Sequence, residues 1–288
     1  MERTQAPALG RLVGPRFDEF ARAWGAQPLL ASAAERGGDD FGDVFSLGAV
    51  DELLTNRCLR TPFLRMAKEG STLPESRFTL GGGVGAGVGD QVSEDRVRRL
   101  FADGATVVLQ ALHRTWAPVT ALVQQLAADL GHPVQANAYI TPPQNRGFSA
   151  HYDIHDVFVL QVHGTKRWVV HPPVWPHPLR SQPWDRRADE VAAAAGGAPL
   201  LEATLAPGDC LYLPRGFIHS AEALGDISAH LTLGVHTWTG QHLAGVLLDA
   251  ACAALTLDEG VRASLPLGVD VADPAAIAAD VERARDAL

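Results

Sequence analysis

Two short segments of the chain carry residue types that together bind transition metals. His151 and Asp153 stand two positions apart in the run Ala-His-Tyr-Asp, and His219 ends the run Pro-Arg-Gly-Phe-Ile-His. In an extended strand residues i and i+2 point to the same side, so His151 and Asp153 are expected to reach one ion. His219, at the start of a later strand, would add the third donor. Two imidazoles and one carboxylate form the facial triad with which proteins hold non-haem Fe(II).

A facial triad leaves three positions open, which a bidentate 2-oxo acid and O2 can fill. Lys166 follows the pair Gly164-Thr165, which we interpret as the tight turn of a hairpin. Such a hairpin would return the ammonium to the metal, where the distal carboxylate of 2-oxoglutarate needs a cation. Asn137 and Tyr139 alternate with apolar residues, so both are expected on one face and can hydrogen-bond a ligand. A surface His-x-Asp pair, an exposed lysine and satisfied core polar groups are the alternatives.

Short apolar runs separated by turn residues make up most of the middle of the chain. They favour a mainly β fold, an antiparallel barrel or sandwich with flanking helices. The predicted strands are 105–109, 135–140, 157–163, 166–171, 200–205, 210–213 and 227–236. Helical spacing predicts helices at 17–30, 48–56 and 118–130, and a helical tail at 241–288.

Two further stretches are interpreted as irregular structure. The glycine-rich stretch 81–89 lacks the ending and the βαβ setting of a phosphate loop, so we expect a flexible loop. Residues 183–199 are expected to be a surface insertion between strands. Among the other histidines near the motifs, we interpret His230 as a structural strand residue.

The composition of the chain limits the classes of function. Its 288 residues carry a net charge of −9 without a basic cluster, which argues against direct nucleic-acid binding. No apolar run is long enough for a membrane span, and the amino terminus does not have the pattern of a secretory signal. The cysteines Cys58, Cys210 and Cys252 form no disulfide framework. We therefore expect a cytoplasmic protein.

The order and distances of these motifs resemble the JmjC/cupin-type ribosomal oxygenases. The run 137–168 carries Asn-Ala-Tyr, Ala-His-Tyr-Asp and Gly-Thr-Lys-Arg-Trp, and the runs 205–219 and 229–234 carry the second half of the pattern. The similarity is strong over residues 100–240 and weak over residues 17–30. It implies a double-stranded β-helix, the JmjC/cupin jelly roll, with an N-terminal helical region and a C-terminal helical tail. The expected oxygenase domain is 1–240, with its barrel at about 105–238, and the tail 241–288 is a possible dimerisation segment.

The resemblance also implies a site and a substrate class. Iron would lie on His151, Asp153 and His219, and 2-oxoglutarate would contact Lys166, Asn137 and Tyr139. Related enzymes hydroxylate arginine or histidine side chains of ribosomal proteins, so a protein or peptide substrate is expected.

The chain departs from the family's pattern at two places. Relatives commonly have a hydroxyl-bearing residue where this chain has Gly234, so Thr232 or a water is expected to substitute. The sequence also ends at Leu288, and we expect no winged helix after the dimerisation helices.

Three other functions stay open at the level of sequence. One is the same chemistry on a natural-product peptide, a free amino acid or an N-methyl group. The others are a metal cupin that works without 2-oxoglutarate and a non-catalytic scaffold with a degenerate site. Release of succinate that depends on 2-oxoglutarate distinguishes the oxygenases from the last two.

Overall fold

Antiparallel strands form the centre of the structure, a computed structural model in which residues 6–143, 145 and 149–287 are described. The strands are β1 (Leu29–Ala31), β2 (Leu64–Lys68), β3 (Ser71–Thr72), β4 (Thr79–Leu80), β5 (Gln91–Val92), β6 (Thr106–Leu109), β7 (Val134–Thr141), β8 (Asp156–His171), β9 (Leu201–Leu205), β10 (Cys210–Leu213) and β11 (Ile218–Val235). The helices are α1 (Pro7–Val13), α2 (Phe17–Ala23), α3 (Leu47–Asn56), α4 (Glu94–Ala102), α5 (Leu112–Thr115), α6 (Ala117–Leu130), α7 (Ala188–Ala195), α8 (Gly240–Leu255), α9 (Glu259–Arg262) and α10 (Ala278–Asp286).

Nine strands form one sheet in the order β1-β10-β8-β11-β7-β6-β2-β3, with β9 paired to β8. All the pairings in this sheet are antiparallel. The strands β4 and β5 pair separately on either side of the glycine-rich stretch, which is a loop as predicted. The predicted class, a mainly β jelly roll with flanking helices, is confirmed.

The two faces of the sheet have different roles. On β7, Ala136, Ala138 and Ile140 point into the main hydrophobic core, which the apolar stripe of α6 also fills. The alternating residues on β7 point to the opposite face, where Tyr139 pairs in register with His230 of β11. The alternation predicted for Asn137 and Tyr139 therefore holds.

Strand β8 corrects the expectation of a hairpin at Gly164-Thr165. The chain continues through this pair as one strand of 16 residues, and β11 accompanies it on both sides. A β-bulge breaks the register of this pair, because β11 needs the extra residues between Leu224 and Ala229 opposite Gly164. The break changes which residues of β8 point inward: Val157 and Val159 line the inner cavity before it, and Lys166 and Trp168 line it afterwards.

The N-terminal region also differs from the sequence prediction, whereas the insertion 183–199 lies between strands as predicted. The helix expected over 17–30 ends at Ala23, and Leu29–Ala31 instead adds strand β1 to the edge of the sheet. The insertion 183–199 folds into a short 3-10 turn and α7. Val191 of α7 packs against Tyr152 and Ile218, so the insertion covers the back of the segments that carry His151 and His219.

The chain separates into two compact units, one up to Thr237 and one from Trp238 onward. The second unit contains α8, α9 and α10, which confirms the predicted helical tail. Within the described ranges, no helix has both the length and the apolar character that a membrane crossing requires.

Candidate metal centre

The structure brings the three predicted metal ligands together. His151, Asp153 and His219 each offer a donor atom, and these atoms lie within 4.8 Å of one another. His151 and His219 exchange two backbone hydrogen bonds, of 3.1 and 2.8 Å, in an isolated β-bridge. Asp153 lies beyond the bridge in irregular chain rather than in the regular strand that we expected. Its carbonyl oxygen accepts a hydrogen bond of 3.0 Å from the backbone of Gly216.

Backbone carbonyls orient both imidazoles. The Nδ1 atom of His151 lies 2.7 Å from the carbonyl oxygen of Ser149, and that of His219 lies 3.1 Å from the carbonyl oxygen of Phe217. When each Nδ1 donates its proton, each Nε2 carries the lone pair that binds a metal. The His219 Nε2 lies 3.7 Å from Asp153 Oδ2, which leaves room for one ion between them.

The protonation states at this site also suit a cation. Burial raises the pKa of Asp153, but the charges that His155 and His219 can carry lower it, and the net direction is downward. Burial lowers the pKa of His219, which keeps the imidazole neutral. An ionised carboxylate and a neutral imidazole are the forms in which these groups bind metals.

Lys166 lies in the same cavity, which has a volume of about 570 Å³ including the part open to solvent. The lysine is 3% exposed, and its Nζ donates a hydrogen bond of 3.2 Å to Thr141 Oγ1. Burial lowers its pKa to about 7. No carboxylate among the described residues pairs with it, and a buried cation without a counter-ion is costly. The pocket therefore suits a ligand that brings a carboxylate.

One row of side chains across the sheet forms the next wall of the cavity. His230 stacks on Tyr139 with ring centroids 5.0 Å apart, and the edge of Trp168 approaches His230 at 5.5 Å. Burial strongly lowers the pKa of His230, and its Nδ1 has no hydrogen-bond partner in the described part of the chain. Arg65 extends the row and hydrogen-bonds Tyr139. The interpretation of His230 as purely structural overlooked that it lines this cavity.

Of the other two residues expected to contact 2-oxoglutarate, one lines the cavity and one does not. Thr232 lines the cavity, whereas Asn137 is not among the lining residues, and its side-chain oxygen accepts a hydrogen bond of 3.0 Å from the backbone of Ala111. Gly234 faces His155 and Gln135: a Cβ added there would lie 3.1 Å from His155 Nε2 and 3.2 Å from Gln135. Small size at position 234 therefore makes room for the His155 imidazole.

Some lining residues that the sequence analysis missed leave the same trace as those that it found. His230 alternates with apolar core residues on β11, as the predicted contact Thr232 does on the same strand and as Asn137 and Tyr139 do on β7. Thr106 and Thr141 give a weaker signal, because their partners lie on other strands. Arg65, which contacts the lining residue Tyr139, gives no signal in the sequence, since only the strand order brings β2 and β7 to the same region of the sheet.

The donor set fits one octahedral metal ion with open positions. One carboxylate and two imidazoles suit iron(II) among other divalent ions. The buried ammonium of Lys166 opens onto the same cavity, and Tyr139, His230 and Thr232 add hydrogen-bonding groups. A bidentate anionic ligand can thus bind the metal with one end and Lys166 with the other.

The model of the JmjC domain matches residues 111–243 of the chain. Ribosomal oxygenase 1 of Gallus gallus is 32% identical over 273 residues, which cover 92% of this chain and 43% of that protein. The bifunctional lysine-specific demethylase and histidyl-hydroxylase NO66 of Culex quinquefasciatus is 38% identical, over 88% of this chain and 39% of that protein. The chain spans less than half the length of these relatives.

A similar fold occurs in YcfD, a ribosomal oxygenase from Escherichia coli that was solved in complex with cobalt and 2-oxoglutarate. The TM-score is 0.58 at 18% identity, over 96% of this chain and 66% of that one. The likeness extends beyond the matched domain into both flanking regions. The chain therefore contains a JmjC domain at residues 111–243.

Proposed function

We propose that this protein is an Fe(II)- and 2-oxoglutarate-dependent oxygenase that hydroxylates an amino-acid side chain of a protein or peptide. The observation that carries the proposal is the shared cavity: His151, Asp153 and His219 converge at one wall, and the buried ammonium of Lys166, which pairs with no carboxylate among the described residues, lies at another. The names of the relatives and the complex of YcfD with cobalt and 2-oxoglutarate support the same chemistry.

The residues of the chain hold and orient the reactants. His151, Asp153 and His219 bind the metal, and Lys166 holds the distal carboxylate of 2-oxoglutarate. We assign Tyr139 and Thr232 as further contacts of this co-substrate, with His230 beside them. We keep Asn137 as a proposed contact, although its side chain also supports the backbone at Ala111. When bound, iron and 2-oxoglutarate supply the power to oxidise an unactivated C–H bond with O2, and no side chain need act as acid or base.

The walls of the cavity favour an uncharged target side chain. Asp153 is the one acidic residue among the described residues that line the cavity, and metal binding would neutralise it. Arg65 adds positive charge nearby. A methylated ammonium would find no counter-charge, so hydroxylation of a neutral group such as imidazole is favoured over N-demethylation. We propose a ribosomal protein as the carrier of that group, as the names of the relatives suggest.

We propose residues 1–240 as the oxygenase domain and 241–288 as a dimerisation segment. Helix α8 has no buried residue and one charged residue, Asp249. Leu243, Val246 and Leu247 are more than 60% exposed and share one face of this helix. A second copy of the chain would cover that face. Direct nucleic-acid binding is not part of this proposal.

We also propose a cytoplasmic location. The free thiols of Cys58 and Cys252 are exposed, which suits a reducing compartment.

The test is a turnover assay with the purified protein. The apoprotein is supplied with Fe(II), 2-oxoglutarate and O2 in the presence of ribosomal-protein fragments that contain histidine or arginine, and succinate is measured. Mass spectrometry should find fragments that have gained one oxygen atom. Free amino acids, natural-product peptides and methyl-lysine peptides are the comparison substrates. Absence of succinate release with every substrate, and also without any, contradicts the oxygenase assignment.

A further inference from the structure

A buried ion pair joins the two segments that carry the metal-binding side chains. Asp156 opens β8 just after Asp153, and Arg215 lies in the turn that precedes β11 and His219. The backbone N of Arg215 and its Nη1 lie 3.1 and 3.3 Å from Asp156 Oδ1. Asp156 is fully buried, and the Arg215 side chain is 13% exposed.

Both partners of this pair are also anchored to other parts of the fold. The hydroxyl of Tyr212 donates a hydrogen bond of 2.5 Å to Asp156 Oδ2, and the backbone N of Gly25 donates to that hydroxyl at 2.8 Å. Arg215 Nη1 also donates to Thr237 Oγ1 at 2.8 Å. Both carboxylate oxygens are therefore engaged, and the pair has little freedom to move.

The turn that contains Arg215 is itself tightly constrained. Gly216 adopts a φ of +90°, and a Cβ there would lie 2.8 Å from the carbonyl oxygen of Trp175 and 2.8 Å from Pro178 Cδ. Its backbone N–H binds the carbonyl oxygen of Asp153. The segment from Arg215 to His219 is thus fixed against the segment of Asp153 by the backbone hydrogen bond of Gly216 and by the ion pair of Arg215 with Asp156.

We propose that Asp156 and Arg215 are positioning residues of the metal centre, which fix the distance between the His151–Asp153 segment and His219. This inference rests on the proposed function. Neither residue lines the cavity, so both act through the segments that they join. A buried ion pair adds little net stability compared with apolar residues of similar volume, whereas metal ligands must be placed to about 0.5 Å. Geometry, rather than stability, is what this pair provides.

The experiment is a titration of the full-length apoprotein with Co(II), followed by the visible absorption of the bound ion and by calorimetry. Asp156→Asn and Arg215→Met should each weaken Co(II) affinity by about tenfold or more and alter its spectrum, as loss of outer-shell support does elsewhere. The double variant Asp156→Leu/Arg215→Met removes both charges, so it should stay folded and still bind Co(II) weakly. Arg215→Lys keeps the positive charge but loses the planar guanidinium group with its several N–H donors. If another variant fails to fold, the Co(II) affinity of Arg215→Lys provides the measurement.

Asp129→Ala is the matched control. Asp129 is a buried carboxylate that accepts hydrogen bonds from the backbone of Leu9 and from Gln125, away from the metal-binding segments. It should lose thermal stability but bind Co(II) like the parent. Parental Co(II) affinity and spectrum in the folded Asp156 and Arg215 variants would overturn the positioning role and leave the proposed function intact. A parent that binds Co(II) no better than His219→Ala would overturn both.

Discussion

Each of the three side chains at the metal centre contributes one donor atom to a common point. We expect His151→Ala, Asp153→Ala and His219→Ala each to abolish succinate release, because two remaining ligands no longer define the facial geometry. Circular dichroism should show a parental fold. His163→Ala, which removes an exposed imidazole, serves as the control. Parental turnover by Asp153→Ala would contradict the assignment of this triad.

We expect Lys166 to determine how strongly the proposed co-substrate, 2-oxoglutarate, binds. Lys166→Ala should weaken binding of 2-oxoglutarate by about ten- to a hundred-fold, because a buried, charge-assisted contact contributes roughly 1.5–3 kcal/mol. Co(II) affinity should be unchanged, since the metal ligands are untouched. Calorimetric titration of the Co(II)-loaded proteins with 2-oxoglutarate gives both values. Equal 2-oxoglutarate affinity in the variant and the parent would place the co-substrate elsewhere.

The same lysine predicts how 2-oxoglutarate binding depends on pH. Because burial lowers the pKa of Lys166 to about 7, the ligand-free protein loses this positive charge as pH rises above neutrality. Only the protonated form attracts the carboxylate, so the dissociation constant should increase by up to about tenfold per pH unit above 7. Lys166→Arg should bind more weakly but without this dependence, because arginine stays protonated. A flat parental profile would contradict the role of this titration.

The low pKa of Lys166 also has a consequence for the stability of the ligand-free protein. The unfolded chain binds a proton more readily than the folded one between pH 7 and the ordinary lysine range. The cost of burying the charge is therefore full below about pH 7 and falls as pH rises through that range. Lys166→Met should remove this part of the pH dependence of the melting temperature.

At the scale of elements, the bent pair β8 and β11 holds Lys166 in place. Gly164 has a φ of +59°, and a Cβ there would collide with the carbonyl oxygen of Ile227 on the opposite strand. Gly164→Ala should therefore cost about 1–3 kcal/mol or more and weaken 2-oxoglutarate binding, because the bulge aims Lys166 inward.

Gly225→Ala is the control for this substitution. Gly225 lies in the same bulge with a φ of +71°, but nothing lies within 4 Å of an added Cβ. Gly225→Ala should lower the free energy of unfolding only by the backbone strain of a positive φ. The melting temperature and the affinity for 2-oxoglutarate are measured for both variants. Equal losses in Gly164→Ala and Gly225→Ala would show that the contact with Ile227 is unimportant.

The same elements show how far sequence reasoning reaches. The His-x-Asp spacing, the alternation around Tyr139 and the stripe on α6 are local patterns, and the structure has each of them. The sequence predicts a hairpin at Gly164-Thr165 where β8 only bends, because a Gly-Thr pair is compatible with both a tight turn and a β-bulge. Only the distant strand β11 distinguishes them, because its residues 225–228 are extra at this point and have no partner on β8. The contact of Arg65 with Tyr139 could not be predicted for the same reason, since the neighbours of Arg65 in space come from β6 and β7.

At the scale of the whole molecule, the exposed face of α8 predicts self-association. Leu243→Glu/Leu247→Glu should convert a dimer into a monomer, because the charges would be buried without partners. The control Gln241→Glu/Cys252→Glu adds the same charge to the opposite face of α8. Light scattering at high micromolar concentration gives the mass of each protein. A monomeric parent under these conditions would contradict the dimer.

The strand order limits where this molecule can be divided. A fragment cut to residues 111–243 would lose β1 beside β10 and β6 beside β7, and would expose unpaired backbone along both. Such open edges recruit other chains and lead to aggregation. It would also lose Gly25, which donates a hydrogen bond to Tyr212, the residue that in turn holds Asp156. We expect that fragment to be insoluble and residues 1–237 to fold, so the smallest stable unit that carries the metal centre extends well beyond the region that matches the JmjC domain.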